Sequence, residues 1–332
     1  MRPTLRACLL AGLTTALIAA GGATAANGGF TPPAPASPNA SRIEDAYYLI
    51  LAFTGVIFVL VEGALIFFIV RYRSRGRSRN VEGPQVRGNT RLEIAWTVVP
   101  VLILAAIASF VFYKLPGIKD VPKAQAGQEA LNVRVEGHQY YWQYVYPDGQ
   151  ISIDRLVVPV GQVVTLDLTA SDVVHSWWVP RLAGKTDAIP GRTNHTWFRV
   201  DRPGRFRLRC AELCGLEHSH MTGWVDVVAR AEYKSFLAAH APSSSTVGSE
   251  IVTGVCAKCH GLAGEGDIGP AIKGNSLIDD KEGLTALLRG GRGPTRTPYG
   301  MPAVGVTWSQ DELDAAIAAL QRSYGKGATG GG

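Results

Sequence analysis

The sequence predicts a multidomain membrane protein with a two-helix transmembrane hairpin, an antiparallel β sandwich or barrel, and a small all-α domain. Two long apolar stretches, a run of short alternating segments separated by turn residues, and a C-terminal part with helical spacing support this prediction. The chain has 332 residues, 46% of them hydrophobic, and its mean hydropathy of +0.09 is high for a soluble protein. A disordered chain and a single small domain are therefore excluded.

The N-terminal residues have the order of a secretory signal. Arg2 and Arg6 precede the apolar run 9–20, which ends in small residues at 23–26. This order predicts a signal peptide over 1–26, whose cleavage would remove Cys8. A membrane anchor is the alternative, but the apolar run is short and a Pro-rich stretch follows it. An exported N-terminal segment, 27–45, comes next.

Two apolar stretches, 46–70 and 94–114, are each long enough to cross the roughly 30 Å hydrocarbon core of a membrane as a helix. The loop between them, 71–93, carries seven arginines and only two acidic residues. By the positive-inside rule this loop is cytoplasmic, and everything after the second helix is exported. The net charge of +6 comes from this loop and the signal, so it does not indicate a nucleic-acid partner.

The exported part divides into a β-rich and a helical domain. Alternating apolar residues and turn signals predict a sandwich or barrel over 115–230. A linker over 231–246, which begins with what looks like a helical end, and a helical domain over 247–325 follow, and the Gly-rich tail 326–332 is expected to be disordered. Ser309 and Glu312 have the spacing of a capping box before the last helix.

The second cysteine pair belongs to a c-type haem attachment motif. Cys256 and Cys259 would form thioethers with a haem, and the adjacent His260 would supply the proximal ligand. Met301, the last methionine in the chain, is the candidate sixth ligand. A redox dithiol is the alternative, but it does not need the histidine.

The first cysteine pair lies in a loop rich in soft metal ligands, which contains Cys210, Cys214, His218 and Met221. One Cys, two His and a Met suit a mononuclear blue-copper site, so the additional Cys suggests two coppers bridged by two thiolates. His175 is the candidate for the second histidine. Structural zinc and ordinary disulfides are the alternatives, and the neighbouring haem motif and the membrane anchor favour electron transfer.

These motifs resemble subunit II of haem-copper cytochrome c oxidases with a binuclear CuA centre, fused to a class I cytochrome c as in caa-type oxidases. The resemblance implies a cupredoxin-like fold for the β domain. It also implies that the backbone carbonyl of Glu212 binds CuA and that its side chain helps to hold a magnesium ion shared with subunit I. The implied CuA ligands are His175, Cys210, Glu212, Cys214, His218 and Met221.

The resemblance also suggests roles outside the two metal sites. Glu93 matches a carboxylate at the entrance of a proton channel, although an ordinary interfacial charge is the alternative. Segment 185–192 matches a stretch near subunit I. Tyr140 replaces the family's tryptophan at the point where electrons enter, so Tyr140 and Trp142 are both candidates for that role. A tethered haem would relax the need for a tight docking surface.

The implied function is a relay of single electrons from haem c to CuA and on to subunit I, where oxygen is reduced to water and protons are pumped. The expected partners are subunits I and III, membrane lipid, and a donor such as a cytochrome c or a quinol-cytochrome c reductase. The expected location is a bacterial inner membrane, with both metal domains on the periplasmic side. No catalytic residue is expected here, because no histidine lies between 46 and 113. A CuA-containing nitric oxide reductase and a stand-alone electron carrier are the alternatives.

Overall fold

The structure is a computed structural model that describes residues 31–73, 82–83, 85–122, 129–293 and 300–326. The predicted signal peptide with Cys8, part of the Arg-rich loop, and residues 327–332 of the predicted tail lie outside the described residues. The chain divides into two compact units. One comprises 41–120, and the other comprises 33–40 together with the chain from 121 onward.

The first unit contains nearly all of α1 (Pro38–Arg71) and all of α2 (Thr90–Lys119), two helices that are both long and apolar enough to cross a membrane. The two predicted transmembrane helices are therefore confirmed. Each helix is longer than its predicted apolar stretch because polar turns extend it at the ends. Asn89 caps α2 by accepting a hydrogen bond from the backbone N–H of Leu92. Lys114 Nζ lies 2.7 Å from Asp45 Oδ2, so an ion pair joins the two helices.

Ten strands of the second unit form two five-stranded sheets, which confirms the predicted sandwich. Their orders are β3-β2-β1-β5-β8 and β4-β10-β9-β6-β7. The strands are β1 (Leu131–His138), β2 (Tyr141–Val145), β3 (Ile151–Ile153), β4 (Arg155–Pro159), β5 (Val163–Ala170), β6 (His175–Trp178), β7 (Thr186–Ala188), β8 (Asn194–Arg199), β9 (Gly204–Cys210) and β10 (Thr222–Val228).

Most strand pairs are antiparallel as predicted, but β1 pairs with β5 and β4 pairs with β10 in parallel. A parallel pair needs a long crossover, and here three strands separate β1 from β5 along the chain. Apolar residues alternate along β1 and β5 and point into the core between the sheets. Val133, Val135, Leu166 and Leu168 are all buried there.

The helices after the sandwich are α3 (Arg230–Ala239), α4 (Ser245–Ile251), α5 (Ala257–His260), α6 (Lys281–Gly290) and α7 (Gln310–Tyr324). A π-helical turn, Val252–Cys256, joins α4 to α5. The predicted capping box is present at the start of α7, where Ser309 and Glu312 bond to each other's backbone N–H.

The predicted linker over 231–246 requires correction, because most of it is α3. The buried ring of Phe236 packs edge-on against Tyr146 of the sandwich, at a centroid distance of 5.8 Å. Only residues 240–244 connect α3 to α4. The pattern of Ala, Pro and Ser residues marked this connection correctly, but the apolar face of α3 belongs to the sandwich.

A second hydrophobic core contains side chains from both the sandwich and the helical domain. Tyr141, Ile151 and Ile153 of the sandwich are buried together with side chains of the helical domain such as Ile251 and Leu313. The helical domain is therefore packed on one edge of the sandwich.

Candidate metal and haem centres

The first candidate centre lies where β6, β9 and β10 meet at one end of the second sheet. His175 is the first residue of β6 and Cys210 is the last of β9. These strands are antiparallel neighbours, with Trp177 opposite Cys210, so the sheet register brings the two ligand candidates together. The loop from Cys210 returns to β10 at Met221, after a short 3-10 helix that begins at His218.

The structure brings all the predicted copper ligands together. Cys210 Sγ lies 3.9 Å from Cys214 Sγ and 3.2 Å from the backbone oxygen of Glu212. Cys214 Sγ lies 3.5 Å from His218 Nδ1 and 3.8 Å from Met221 Sδ. One ligand atom each from His175, Cys210 and Cys214 lie within 4.8 Å of one another.

The donor set fits copper by its chemistry and by one orphaned atom. His175 Nδ1 is buried and has no hydrogen-bond partner within the described part of the chain. Its other nitrogen, Nε2, lies 2.8 Å from Asp172 Oδ1, an arrangement that is common for metal-binding histidines because it fixes the ring and the tautomer. Two thiols, two imidazoles and a thioether are soft ligands suited to copper.

The charges around this cluster favour a thiolate at Cys210. The hydrogen bond from the Cys214 thiol stabilises the Cys210 thiolate and lowers the pKa of Cys210, and the same thiolate raises the pKa of Cys214. Burial is the largest influence and works against a charged His175, but the interactions with Asp172 and Cys210 together outweigh burial and raise the pKa of the imidazole. Copper binding would replace these shared protons with a metal charge.

The Glu212 carboxylate, predicted to help hold magnesium, is half-exposed and lies 3.6 Å from Lys185 Nζ. Lys185 also pairs with Asp187 at 3.0 Å, and Asp187 accepts a hydrogen bond from Ser176 at 2.8 Å. Among the described residues, the group of side chains that could hold a metal does not include Glu212. The magnesium site stays a prediction.

The second candidate centre is a largely apolar cavity of about 780 Å³ in the helical domain. Cys256, Cys259, His260 and Met301 all line it, so the haem-motif cysteines and both predicted axial ligands face one space. The volume lies within the range of cofactor pockets. Burial raises the pKa of the Cys256 thiol to about 12.

The fit to a haem rests on how the chain holds His260. Its Nδ1 lies 2.7 Å from the backbone oxygen of Pro270, which leaves Nε2 as the ligand nitrogen. The ring packs against Gly269, where an added Cβ would lie 2.7 Å from His260 Cε1. Any larger side chain at this position would displace the proximal histidine.

The cavity also borders the sandwich, through Gln139, Tyr140 and the copper loop. The Tyr140 hydroxyl accepts a hydrogen bond from the backbone N–H of Leu216 at 3.0 Å. Gln139 Nε2 donates to the backbone oxygen of Cys214 at 2.7 Å. Trp142 is fully buried, and its ring lies edge-on to the His175 imidazole at 5.9 Å. Both aromatic candidates therefore adjoin the copper cluster.

Glu93 lies in the first turn of α2, within the other unit, and its Oε1 accepts a hydrogen bond from the Asn89 backbone N–H at 3.2 Å. This contact completes the cap of the helix. The structure thus gives Glu93 a local structural role, and the proton-path role stays a prediction.

Sequence analysis missed three residues whose side chains contact the candidate sites or the segment between them: Asp172, Asp154 and Lys258. Asp172 stands three residues before His175, which is a weak sequence signal for a supporting carboxylate. Lys258 lies inside the haem motif at a position where the motif specifies no residue type. Asp154, its partner, lies 104 residues away along the chain.

The fold and the two sites define a membrane-anchored protein in which a cupredoxin-like domain carries a cytochrome c domain. Comparison with family models agrees with this class. Residues 25–113 match the transmembrane domain of cytochrome c oxidase subunit II, and residues 149–228 match its periplasmic domain. Residues 244–318 match subunit III of the cbb3-type cytochrome c oxidase.

The chain is 33% identical over 314 residues to cytochrome c oxidase subunit 2 of Alkalihalophilus pseudofirmus, which covers 86% of this chain and 89% of that protein. It is 33% identical over 248 residues to the Cereibacter sphaeroides protein of the same name, covering 63% and 78%. The solved periplasmic domain of subunit II from Bradyrhizobium japonicum is 35% identical, covering 36% and 94%, with a TM-score of 0.33.

The chain belongs to the cytochrome c oxidase subunit II family and has a cytochrome c domain fused at its C-terminal end. Its relatives are subunits of an oxidoreductase complex. The family implies copper of the CuA type, and the fused domain implies haem c. Two helices that can span a membrane and a match to a periplasmic domain fit a membrane protein with a periplasmic part.

Proposed function

We propose that the chain is the subunit through which electrons enter a haem-copper cytochrome c oxidase. When bound, haem c and CuA would supply one-electron transfer from a donor towards subunit I, where oxygen is reduced to water and protons are pumped. The observation that carries this proposal is that residues of the copper loop and of the adjoining segment also line the haem cavity. Tyr140 and Leu216 line the haem cavity and join the sandwich to the copper loop.

The copper ligands would be His175, Cys210, Glu212, Cys214, His218 and Met221, with the Glu212 contact made by its backbone carbonyl. The sheet holds the first two of these side chains, and the sulfur atoms of Cys214 and Met221 are buried. Rigid, water-excluded ligands keep the geometry the same in both oxidation states, which favours electron transfer over chemistry at the metal.

The haem would be held by thioethers from Cys256 and Cys259 and by axial bonds from His260 and Met301. Pro270 fixes the orientation of the proximal imidazole through its backbone oxygen. A thioether as the sixth ligand raises the haem potential, which suits a carrier that accepts electrons from a respiratory donor.

The segment 139–142 contacts both centres. Gln139 and Tyr140 line the haem cavity and bond to the copper loop, and the Trp142 ring packs on His175. We propose that electrons enter the copper domain at Tyr140 and that the Trp142 ring holds the His175 ligand in place by packing against it.

The remaining expectations form part of the same proposal. Subunits I and III, membrane lipid, and a cytochrome c or quinol-cytochrome c reductase are the proposed partners, in a bacterial inner membrane. The Glu212 carboxylate would share a magnesium ion with subunit I, and Glu93 would stand near a proton channel of subunit I.

Metal analysis and electron paramagnetic resonance of the purified complex test this proposal. We expect two coppers that share one unpaired electron and one covalent low-spin haem in this chain. Cys210→Ser should abolish the two-copper signal and leave the haem attached, and Cys259→Ala should do the reverse. Zinc in the cluster, or a single copper, would contradict the CuA assignment.

A further inference from the structure

A largely buried ion pair, with both side chains partly accessible, joins the haem motif to the sandwich. Lys258, the third residue of the motif, places Nζ 2.5 Å from Asp154 Oδ2 and 2.8 Å from the backbone oxygen of Tyr140. The two charged side chains are only 16% and 15% exposed. The lysine therefore bonds both to an acidic anchor and to the segment that borders the haem cavity.

The anchor itself is held tightly within the sandwich. Asp154 lies between β3 and β4 with a positive φ of 57°. Its Oδ1 accepts a hydrogen bond from the Trp142 backbone N–H at 2.9 Å, and its own N–H donates to the Trp142 oxygen at 2.8 Å. Burial raises the pKa of Asp154, and the positive charge of Lys258 opposes that rise.

Further polar contacts surround the pair along the boundary between the domains. Glu250 Oε2 accepts from the Ile153 N–H at 3.0 Å. Gln143 Nε2 donates to Glu312 Oε1 at 2.8 Å, and Trp308 Nε1 donates to the Tyr141 hydroxyl at 2.9 Å. These bonds have fixed directions, so they fit one orientation of the two domains.

We propose that Lys258 and Asp154 are positioning residues that hold the haem domain on the sandwich in one orientation. This inference rests on the proposed relay function. A buried ion pair adds little net stability but is costly to break, because the remaining charge is left buried without its partner. The pair therefore disfavours orientations in which Lys258 does not reach Asp154, and it keeps the haem cavity against Tyr140 and the copper loop.

The test uses the full chain in its purified complex, with the variants Asp154→Asn and Lys258→Met. Lys281→Met is the matched control, because it removes a lysine from an exposed ion pair with Asp314 inside the same helical domain. Two readouts are needed for each variant that carries both metals: the dipolar coupling between oxidised CuA and the ferric haem, and the rate of electron transfer between them after flash reduction. Amide hydrogen exchange over 140–154 reports the same boundary without either metal.

We expect Asp154→Asn to broaden the dipolar distribution, to speed exchange over 140–154, and to slow the electron transfer at least about tenfold, since breaking a buried pair shifts a docking equilibrium by that much or more. Lys258→Arg, which keeps the positive charge, should retain most of the electron-transfer rate that Lys258→Met loses. Lys281→Met should change neither the coupling, the exchange nor the rate. Asp154 lies outside the haem motif, so its variant serves even where Lys258→Met fails to attach haem.

Unchanged coupling, exchange and rate in a fully loaded Asp154→Asn chain would overturn this inference and leave the proposed function intact. A parent chain without the two-copper signal would overturn the proposed function instead. In that case the hydrogen exchange alone still decides whether the pair orients the domains.

Discussion

Asp172 controls the histidine that completes the copper cluster, although it would not touch the metal itself. Its Oδ1 contacts His175 Nε2, and its Oδ2 accepts from the Gln139 backbone N–H at 2.6 Å. Burial raises the pKa of Asp172, but the hydrogen bonds from His175, Val173 and Gln139 outweigh burial and lower it. The carboxylate therefore stays ionised and links the histidine to the segment that borders the haem cavity.

Replacing this carboxylate should weaken copper binding without emptying the cluster. We expect Asp172→Asn to lower copper affinity by about 10-fold to 100-fold, because the imidazole loses the partner that fixes its orientation. Competition with a copper chelator measures the change. Asp201→Asn is the control, since the largely exposed Asp201 forms an ion pair with Arg199 and, among the described residues, does not belong to the copper cluster. Equal affinities for the two variants would show that Asp172 does not orient the ligand.

At the scale of residues, sequence analysis could predict the metal ligands but not the residues that position the sites. Cys210, Cys214, His218 and Met221 stand close together in one loop, so their spacing carries the signal. Asp154 carries no such signal, because any aspartate in a turn has the same local pattern. Its role follows from a partner that only the folded chain brings near.

The close crossing of α4 and α7 depends on Gly248. An added Cβ at this position would overlap the backbone oxygen of Ala315 and lie 3.2 Å from Ala319 Cβ. The small side chains of α7 allow the two helices to approach, and this crossing forms the core of the helical domain.

Gly248→Ala should therefore destabilise the haem domain, by about 2 kcal/mol, because the two helices must move apart. Denaturant unfolding followed by the haem absorbance of the full chain measures the loss. Gly290→Ala is the matched control: Gly290 lies at the end of α6, and an added Cβ would meet nothing within 4 Å. A loss of similar size in both variants would mean that the crossing has room for a methyl group.

At the scale of elements, alternation of apolar residues predicted the strands and the sandwich, because it reports which face of a strand is buried. It could not predict the two parallel pairs. The register Leu131 opposite Val164 joins residues far apart in the chain, and the same alternation is compatible with an antiparallel neighbour. A helical end before the Pro-Ser stretch was predicted, but the assigned linker began too early because the apolar face of α3 is short.

The orientation of the whole chain in the membrane is predicted by the Arg-rich loop and is open to a direct test. Glu82→Cys should react with an impermeant thiol reagent only in inverted vesicles, because the loop is expected to be cytoplasmic. Asp148→Cys, in an exposed turn of the sandwich, should react only in intact spheroplasts. The parent chain gives the background from its own cysteines. Labelling of both positions from the same side would contradict the two-crossing topology.

At the scale of the whole molecule, the order of segments could be predicted from hydropathy, turns and motifs. The packing of the two exported domains could not, because a Pro-Ser connection looks the same whether it joins mobile or docked domains. The connection 240–244 is short, and the domains meet through a shared apolar core and through polar contacts around Lys258 and Asp154.

The core shared by both exported domains has a consequence for how the protein matures. Tyr141, Ile151 and Ile153 lie in the sandwich but belong to the hydrophobic core that consists mainly of helical-domain side chains. During synthesis the sandwich emerges first, so these apolar side chains lack their packing partners until the last 80 or so residues follow. The sandwich therefore completes this edge of its surface only when the helical domain has folded against it.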